Sequence, residues 1–374
     1  MSVKIEFHMI QSFPPANLNR DDTNMPKDCE FGGVRRARIS SQCIKRSIRL
    51  HPDFKKYTGI APADRSRRLI DPIQKALIKA GKKPEEALET ASAFVSELLG
   101  GLDKLKESES YPRSKVLFYA SKEETSAMAQ ALLDDWDKKD YKKLVKDYVK
   151  QFSERTSAPD IALFGRMLAD NPNLSMEASC QVAHAISTHR VNMEMDFFTA
   201  VDDLQQTEDA GAGMMGVTGF NAATFYRYAA IDWGQLVRNL GGNTDLAKNT
   251  VRGFLSAMAK AIPTGKQNAF AAQTPPSLIL AVVREDEQAW SLVNAFEKPI
   301  TTRGNQSILH QSAAALDNHW HELDMIYGDP NSPVKPFALA LPEIEGELSN
   351  LKDVKVASLL ALGDAVCGAL PQEA

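Results

Sequence analysis

Val3, Ile5, Phe7 and Met9 alternate with Lys4, Glu6 and His8, a period of two that predicts a half-buried β-strand. The stretch that follows, QSFPPANLNRDDTNMPKDCEFGG, is rich in Pro, Asn, Asp and Gly and reads as a long loop. Ser40 and Ser41 offer N-caps for a helix from Gln42 to Arg49. On it, Gln42, Lys45 and Arg49 share one face at i, i+3 and i+7, and Ile44 with Ile48 forms another. From Ala63 to about Phe152 the periodicity is helical throughout and predicts no strand, as expected of an insertion into an α/β core. SMEASCQVAHAIS, from Ser175, continues as a helix. FFTAV and TFYRYAAI have strand composition and flank a Gly/Met/Thr-rich stretch, which predicts a long β-hairpin with that stretch as its tip. A helix from Leu246 to Ile262, a loop PTGKQN, a strand LILAVV and a helical tail containing SILHQSAAALDNHWHEL complete the pattern. No repeat of 20 to 50 residues is visible.

A length of 374 residues predicts one large elaborated domain or two. The N-terminal stretch has no continuous apolar segment of the kind a signal peptide needs, and LILAVV is far too short to span a bilayer. Cys29, Cys43, Cys180 and Cys367 are scattered, which predicts free thiols in a reducing cytoplasm and no zinc site. A net charge of −4 excludes a globally basic nucleic-acid binder, so any such surface has to be local. Residues 34–49, VRRARISSQCIKRSIR, supply it: six basic side chains and no carboxylate. A plain solvated helix face predicts interspersed Asp or Glu, and Lys45 with Arg49 would repel at i,i+4 unless an anion bridges them. Ser40, Ser41 and Gln42 at the helix start add neutral donors suited to phosphate oxygens.

Catalytic chemistry finds little foothold. His184 with His189, and His319 with His321, lack helical metal-pair spacing and read as structural. GAGMMG at Gly211 lacks the strand and helix of a phosphate cradle, and TGKQN at Thr264 is not a P-loop. Asp21 and Asp22 could hold a metal, but adjacent carboxylates in a loop are more often turn residues.

LNRDDTNMPKDCEFGGVRRARISSQCIKRSIR, DIALFGRM, FFTAVDDLQ and TFYRYAAID resemble the backbone subunit of the type I-E Cascade complex, a CRISPR surveillance assembly of the RAMP superfamily. The resemblance implies an α+β protein with an RRM-like (ferredoxin-like) palm from residues 1–60 and 181–374. It further implies a helical fingers insertion at 61–180 and a β-hairpin thumb at about 193–226. It implies a non-catalytic protein without cofactor, whose copies line one CRISPR RNA and displace bases at regular intervals so that the guide pairs with target DNA. The large, small, handle-binding and repeat-processing Cascade subunits would be its neighbours. Leaving base edges free requires a grip on the sugar-phosphate backbone. The absence of a [KR]-G-[FY]-x-[FY] run fits that kind of grip. By position, Asn19, Arg20, Asn24, Lys27, Arg38, Ser40, Gln42, Lys45, Arg46, Arg49, Arg166, Lys266 and Gln267 would hold phosphates and riboses. Met167 would wedge against bases, and Phe198, Thr199 and Val201 would pack beside the displaced nucleotide. From their type alone, Met167 and Phe198 read as core residues. Lys138, Lys139, Lys142, Lys143 and Lys146 recur at helical spacing among aspartates, which fits a solvated face; the resemblance implies a contact with target duplex. The rival expectation is an RNA endonuclease of the same superfamily, cutting with Asp21 or Asp22.

Overall fold

A computed structural model describes residues 3–105, 110–168, 171–200, 214–285, 288–302, 304 and 306–372. Its strands in chain order are β1 (Lys4–Ala16), β2 (Asp28–Phe31), β3 (Val34–Ile39), β4 (Asp64–Ser66), β5 (Phe118–Ala120) and β6 (Cys180–Val182). β7 (Ala185–Ser187), β8 (Glu194–Ala200), β9 (Met214–Asp232), β10 (Leu278–Arg284) and β11 (Val334–Ala340) follow. The helices are α1 (Ser41–Leu50), α2 (Pro52–Thr58), α3 (Ile70–Lys79), α4 (Pro84–Leu98), α5 (Lys122–Asp134) and α6 (Tyr141–Phe152). After them come α7 (Pro159–Phe164), α8 (Trp233–Asn239), α9 (Thr244–Lys260), α10 (Gln267–Phe270), α11 (Ile308–Tyr327) and α12 (Leu359–Ala369). The chain divides into two compact units: Met1–His51, Val182–Ala230 and Phe254–Leu370 form one, and Pro52–Gln181, Ile231–Gly253 and Pro371–Ala374 the other. No helix among the described residues is long and apolar enough to cross a membrane.

The first unit is built on a sheet of order β11-β10-β1-β9-β7-β3-β2, with β6 and β8 also paired to β9. β1 runs antiparallel to β10 from Lys4↔Arg284 to Ile10↔Leu278, and β7 antiparallel to β9. All of β10 is buried, which explains why it reads as a continuous apolar run rather than an alternating one. Leu280, Val282, Tyr226, Phe296, Leu316 and Trp320 share its core.

Four expectations give way here. β1 is buried on both faces, because its polar residues are satisfied inside: Glu6 Oε1 accepts from Arg284 Nε at 3.2 Å and from the Trp290 amide at 2.9 Å, and His8 Nδ1 lies 2.9 Å from the Tyr226 hydroxyl. β1 also continues through Ala16 and β2 begins at Asp28, so the long loop shrinks to residues 17–27. SMEASCQVAHAIS forms β6 and β7 instead of a helix, its short apolar runs taken up by pairing with β9. The tail adds β11 to its helices, an edge strand that tolerates Pro336 opposite Val282.

In the second unit α3, α4, α5 and α6 enclose Ile73, Leu77, Phe94, Met128, Leu132 and Phe152. The helical block does contain strands: β4 pairs β5 through Asp64↔Ala120 to Ser66↔Phe118, too short to leave a period-two signal. Ser121 and Glu124 cap α5 reciprocally, so the Glu124 carboxylate is turned inward.

Candidate nucleic-acid interface

Residues 17–27 form a tight turn rather than a free loop. The Asp21 Oδ1 accepts from the Thr23 amide at 2.9 Å, the Thr23 hydroxyl at 2.8 Å and the Met25 amide at 2.9 Å. These bonds, led by the Thr23 hydroxyl, hold its carboxyl below the usual range. Asn24 takes a left-handed φ of 72°, and its Oδ1 accepts from Arg20 Nη1 at 2.7 Å. Asp22 is exposed beside them. The strands β2 and β3 then close through Gly32-Gly33, both at positive φ; a Cβ on Gly32 would lie 1.8 Å from the Glu297 carbonyl oxygen.

β3 leads straight into α1. Ser40 caps it, accepting from the Cys43 amide at 3.3 Å, and Ser40's own amide donates to Asn19 Oδ1 at 2.8 Å, which fastens the turn to the helix start. Ile44 and Ile48 are buried, Gln42 and Arg46 exposed, and Lys45 and Arg49 half-buried. No acidic residue occupies the first turn. Asn19, Lys27, Arg38 and Asn221 line a cleft beside it. Positive charge and the helix N-terminus therefore meet on one edge.

Two further segments border that edge. Gly265 packs on the turn, a Cβ there falling 2.4 Å from the Leu18 carbonyl oxygen, and this places Lys266, at φ 51°, and Gln267 next to it. The Gln267 amide is spent on the Pro263 carbonyl at 3.1 Å. Phe270 meets Phe220 of β9 at 5.7 Å between ring centroids. β8 pairs the first part of β9 from Glu194↔Phe220 to Ala200↔Met214, so the Gly/Met/Thr-rich stretch from Met214 is strand, not tip. Glycine at 216 makes room there for the Phe198 ring, which a Cβ would approach to 2.4 Å. Phe198 and Thr199 are exposed; Val201 lies outside the described residues. Met195, Phe197, Met215 and Val217 share one face of this hairpin and are all exposed.

Two arginines leave the candidate surface, and a third is neutralised. Arg36 is fully buried and donates to the carbonyls of Phe31, Ser187, Phe296 and Glu297. Arg35 pairs with Asp28 at 2.9 Å, a carboxylate supplied from across the hairpin. Arg166 is buried in the second unit, its guanidinium bound to Glu124 and to the carbonyls of Leu174 and Tyr119. It is a core residue, and a phosphate could not reach it. Its neighbour Met167 is the reverse: 91% exposed between two buried residues, held out by the Arg166↔Met176 bridge, so packing type misread it. Lys138 and Lys139 precede α6 rather than belonging to it, and Lys142, Lys143 and Lys146 are exposed on its outer side. The Lys82 and Lys139 ammonium groups lie 4.2 and 5.8 Å from the Trp136 ring centroid.

Two residues of the first unit escaped the sequence reading. Asn17, buried, donates to the carbonyls of Asn24 at 3.1 Å and Gly219 at 2.9 Å. His184 Nδ1 accepts from the Ser41 amide at 3.0 Å. Partial burial, then Arg38 and Lys27, keeps its pKa below the usual value. Nothing in the local sequence marks their reach to Gly219 and Ser41, since those bonds close over long separations.

Over residues 5–363 the chain matches the family described as CT1975-like protein. It is similar to a chain of a solved "CRISPR RNA-guided surveillance complex, pre-nicking", at 31% identity and TM-score 0.85, covering 98% of this chain and 99% of that one. A chain of a second "CRISPR RNA-guided surveillance complex" is similar at 26% identity and TM-score 0.75, covering 98% of this chain and 100% of that one. No curated protein matches. The family match spans nearly the whole chain and the two structural likenesses cover all but a few residues: the chain belongs to the CT1975-like protein family, and with it to the CRISPR proteins of the Cascade type.

Proposed function

We propose that this chain is a non-catalytic, cytoplasmic backbone subunit of a type I-E Cascade complex. It binds CRISPR RNA through the sugar-phosphate backbone, assembles with copies of itself and with the other Cascade subunits, and presents the guide to target DNA. The sheet order β10-β1-β9-β7, with α1 between β1 and β7 and α9 between β9 and β10 along the chain, supports an RRM-like palm. α3 to α6 would serve as fingers and β8 with the first part of β9 as thumb.

The observation that carries this reading is the meeting of Asn19, Lys27 and Arg38 with an α1 start that is capped and free of acidic residues, with Lys45, Arg46 and Arg49 further along the helix. Such a site recognises phosphate without reading bases. Arg20, Asn24, Lys45, Arg46, Arg49 and Lys266 extend it, Met167 and Phe198 meet bases, and the α6 lysines meet duplex DNA. The Asp21 carboxylate is already taken up in shaping its turn, which favours a binding role over cleavage. Fluorescence anisotropy with RNAs of unrelated sequence should give equal affinities that fall together with salt, and Lys27→Ala with Arg38→Ala should weaken all of them. Tight binding to one sequence only, or metal-dependent cutting of labelled complementary RNA that Asp21→Ala abolishes, would overturn it.

A further inference from the structure

The turn 17–27 touches two neighbours through two asparagines. Asn19 fastens it to the start of α1 by accepting from Ser40. Asn17 fastens it to β9: one side-chain amide nitrogen donates both to Asn24 at the apex of the turn and to Gly219 where the β8–β9 hairpin leaves the sheet. A second contact joins the same two places. A Cβ on Gly219 would fall 2.3 Å from Met25 Cε and 2.7 Å from Met25 Sδ, so β9 is glycine at the point where Met25 of the turn lies on it. Asn17 is buried, and its Oδ1 has no partner among the described residues. A buried amide with one unused oxygen is costly, so what it contributes is its two donors.

We propose that Asn17 is a positioning residue that makes the turn and the hairpin base hold or release together, so that an anion seated on the turn and α1 sets the hairpin. That the anion is RNA rests on the reading above; the mechanical link does not. The turn's shape depends on the Asp21 carboxylate and, through Asn17, reaches β9 without passing through α1. Breaking the turn should therefore loosen residues 216–220 only while Asn17 is intact.

Amide hydrogen exchange on the RNA-free full chain tests the link as a double-mutant cycle. Asp21→Ala alone should speed exchange at 216–220 by about tenfold, the equivalent of one buried hydrogen bond. Asn17→Asp, an isosteric change that removes both donors, should speed it similarly, and Asp21→Ala on that background should add nothing. Lowering the pH protonates the introduced carboxyl and returns one donor, so part of the dependence on Asp21 should reappear; a residue that merely fills space would show no such pH profile. Should Asn17→Asp not fold, Asn17→Ser, whose shorter side chain reaches neither carbonyl, should uncouple the two in the same way, whereas Gly219→Ala, which pushes Met25 away and leaves Asn17 in place, should keep the response of 216–220 to Asp21→Ala. Additive effects, or no response of 216–220 to Asp21→Ala, overturn the link. A final arm adds mixed-sequence single-stranded RNA to the wild type. Slowed exchange at 216–220 supports the ligand-driven step; a link without any RNA response overturns that step and the RNA reading while leaving the coupling standing.

Discussion

Lys45 and Arg49 sit on the outer edge of a helix whose inner face is Ile44 and Ile48, so charge and packing can be separated there. Lys45→Ala with Arg49→Ala, both half-buried, should lower the melting temperature by a few degrees at most, since the Ile44 and Ile48 face is kept. Filter binding should show RNA affinity reduced about tenfold or more, and the slope of log affinity against log salt reduced by about 0.7 per lost phosphate contact. His184 makes a prediction of the opposite kind. Its folded pKa lies below the ordinary 6.5, so the neutral form that accepts from Ser41 is favoured by folding. That stability is present above the unfolded pKa and is lost as pH falls through the folded one. The melting-temperature gap between wild type and His184→Ala should therefore be largest at about pH 7.5 and shrink towards pH 5, near and below the ordinary histidine range. At this scale the sequence was a mixed guide. It marked α1, its cap and its cationic edge, because those depend on neighbours three and four residues apart. It could not tell Arg36 and Arg166 from their exposed neighbours, because the carbonyls and carboxylate that bury them lie far along the chain. For Met167 it gave the wrong sign.

Among the elements, those with strong internal periodicity were legible and those defined by their partners were not. α9, α11, β10 and the helices α3 to α6 follow their patterns; β5, β6 and β7 are three residues each and exist because another strand lies beside them. The same distinction predicts how the second unit responds to mutation. α5, α6 and the segment after α7 converge on Glu124, Tyr148 and Arg166, a buried cluster in which burial drives the tyrosine pKa well up. Arg166→Met leaves a buried carboxylate without its cation and should cost about 3–5 kcal/mol. Calorimetry should show that loss as a lowered melting temperature, while RNA affinity of the folded fraction is unchanged at low temperature. A direct loss of affinity without destabilisation would return Arg166 to the RNA.

Seen whole, the molecule carries a net charge of −4, with carboxylate-poor clusters of cations on α1 and α6, so copies should repel one another until RNA supplies charge between them. Light scattering with RNAs of graded length should show masses rising by one protomer at a time, with long assemblies falling apart at high salt. A fixed small oligomer would exclude a filament. The position of β1 sets the order in which this happens in a cell. β1 lies between β9 and β10, both of which follow it in the chain, so its hydrogen bonds to β10 wait for Leu278 to be made. At about 5–20 residues per second that delay is roughly 15–55 s. The turn follows directly from β1, and Arg36 of β3, between the turn and α1, waits longer still for Phe296. A nascent chain therefore has no finished grip to offer a passing transcript. Chains truncated before Leu278 should be made but retain no RNA in a pull-down, which would confine any RNA binding to chains that extend past Phe296.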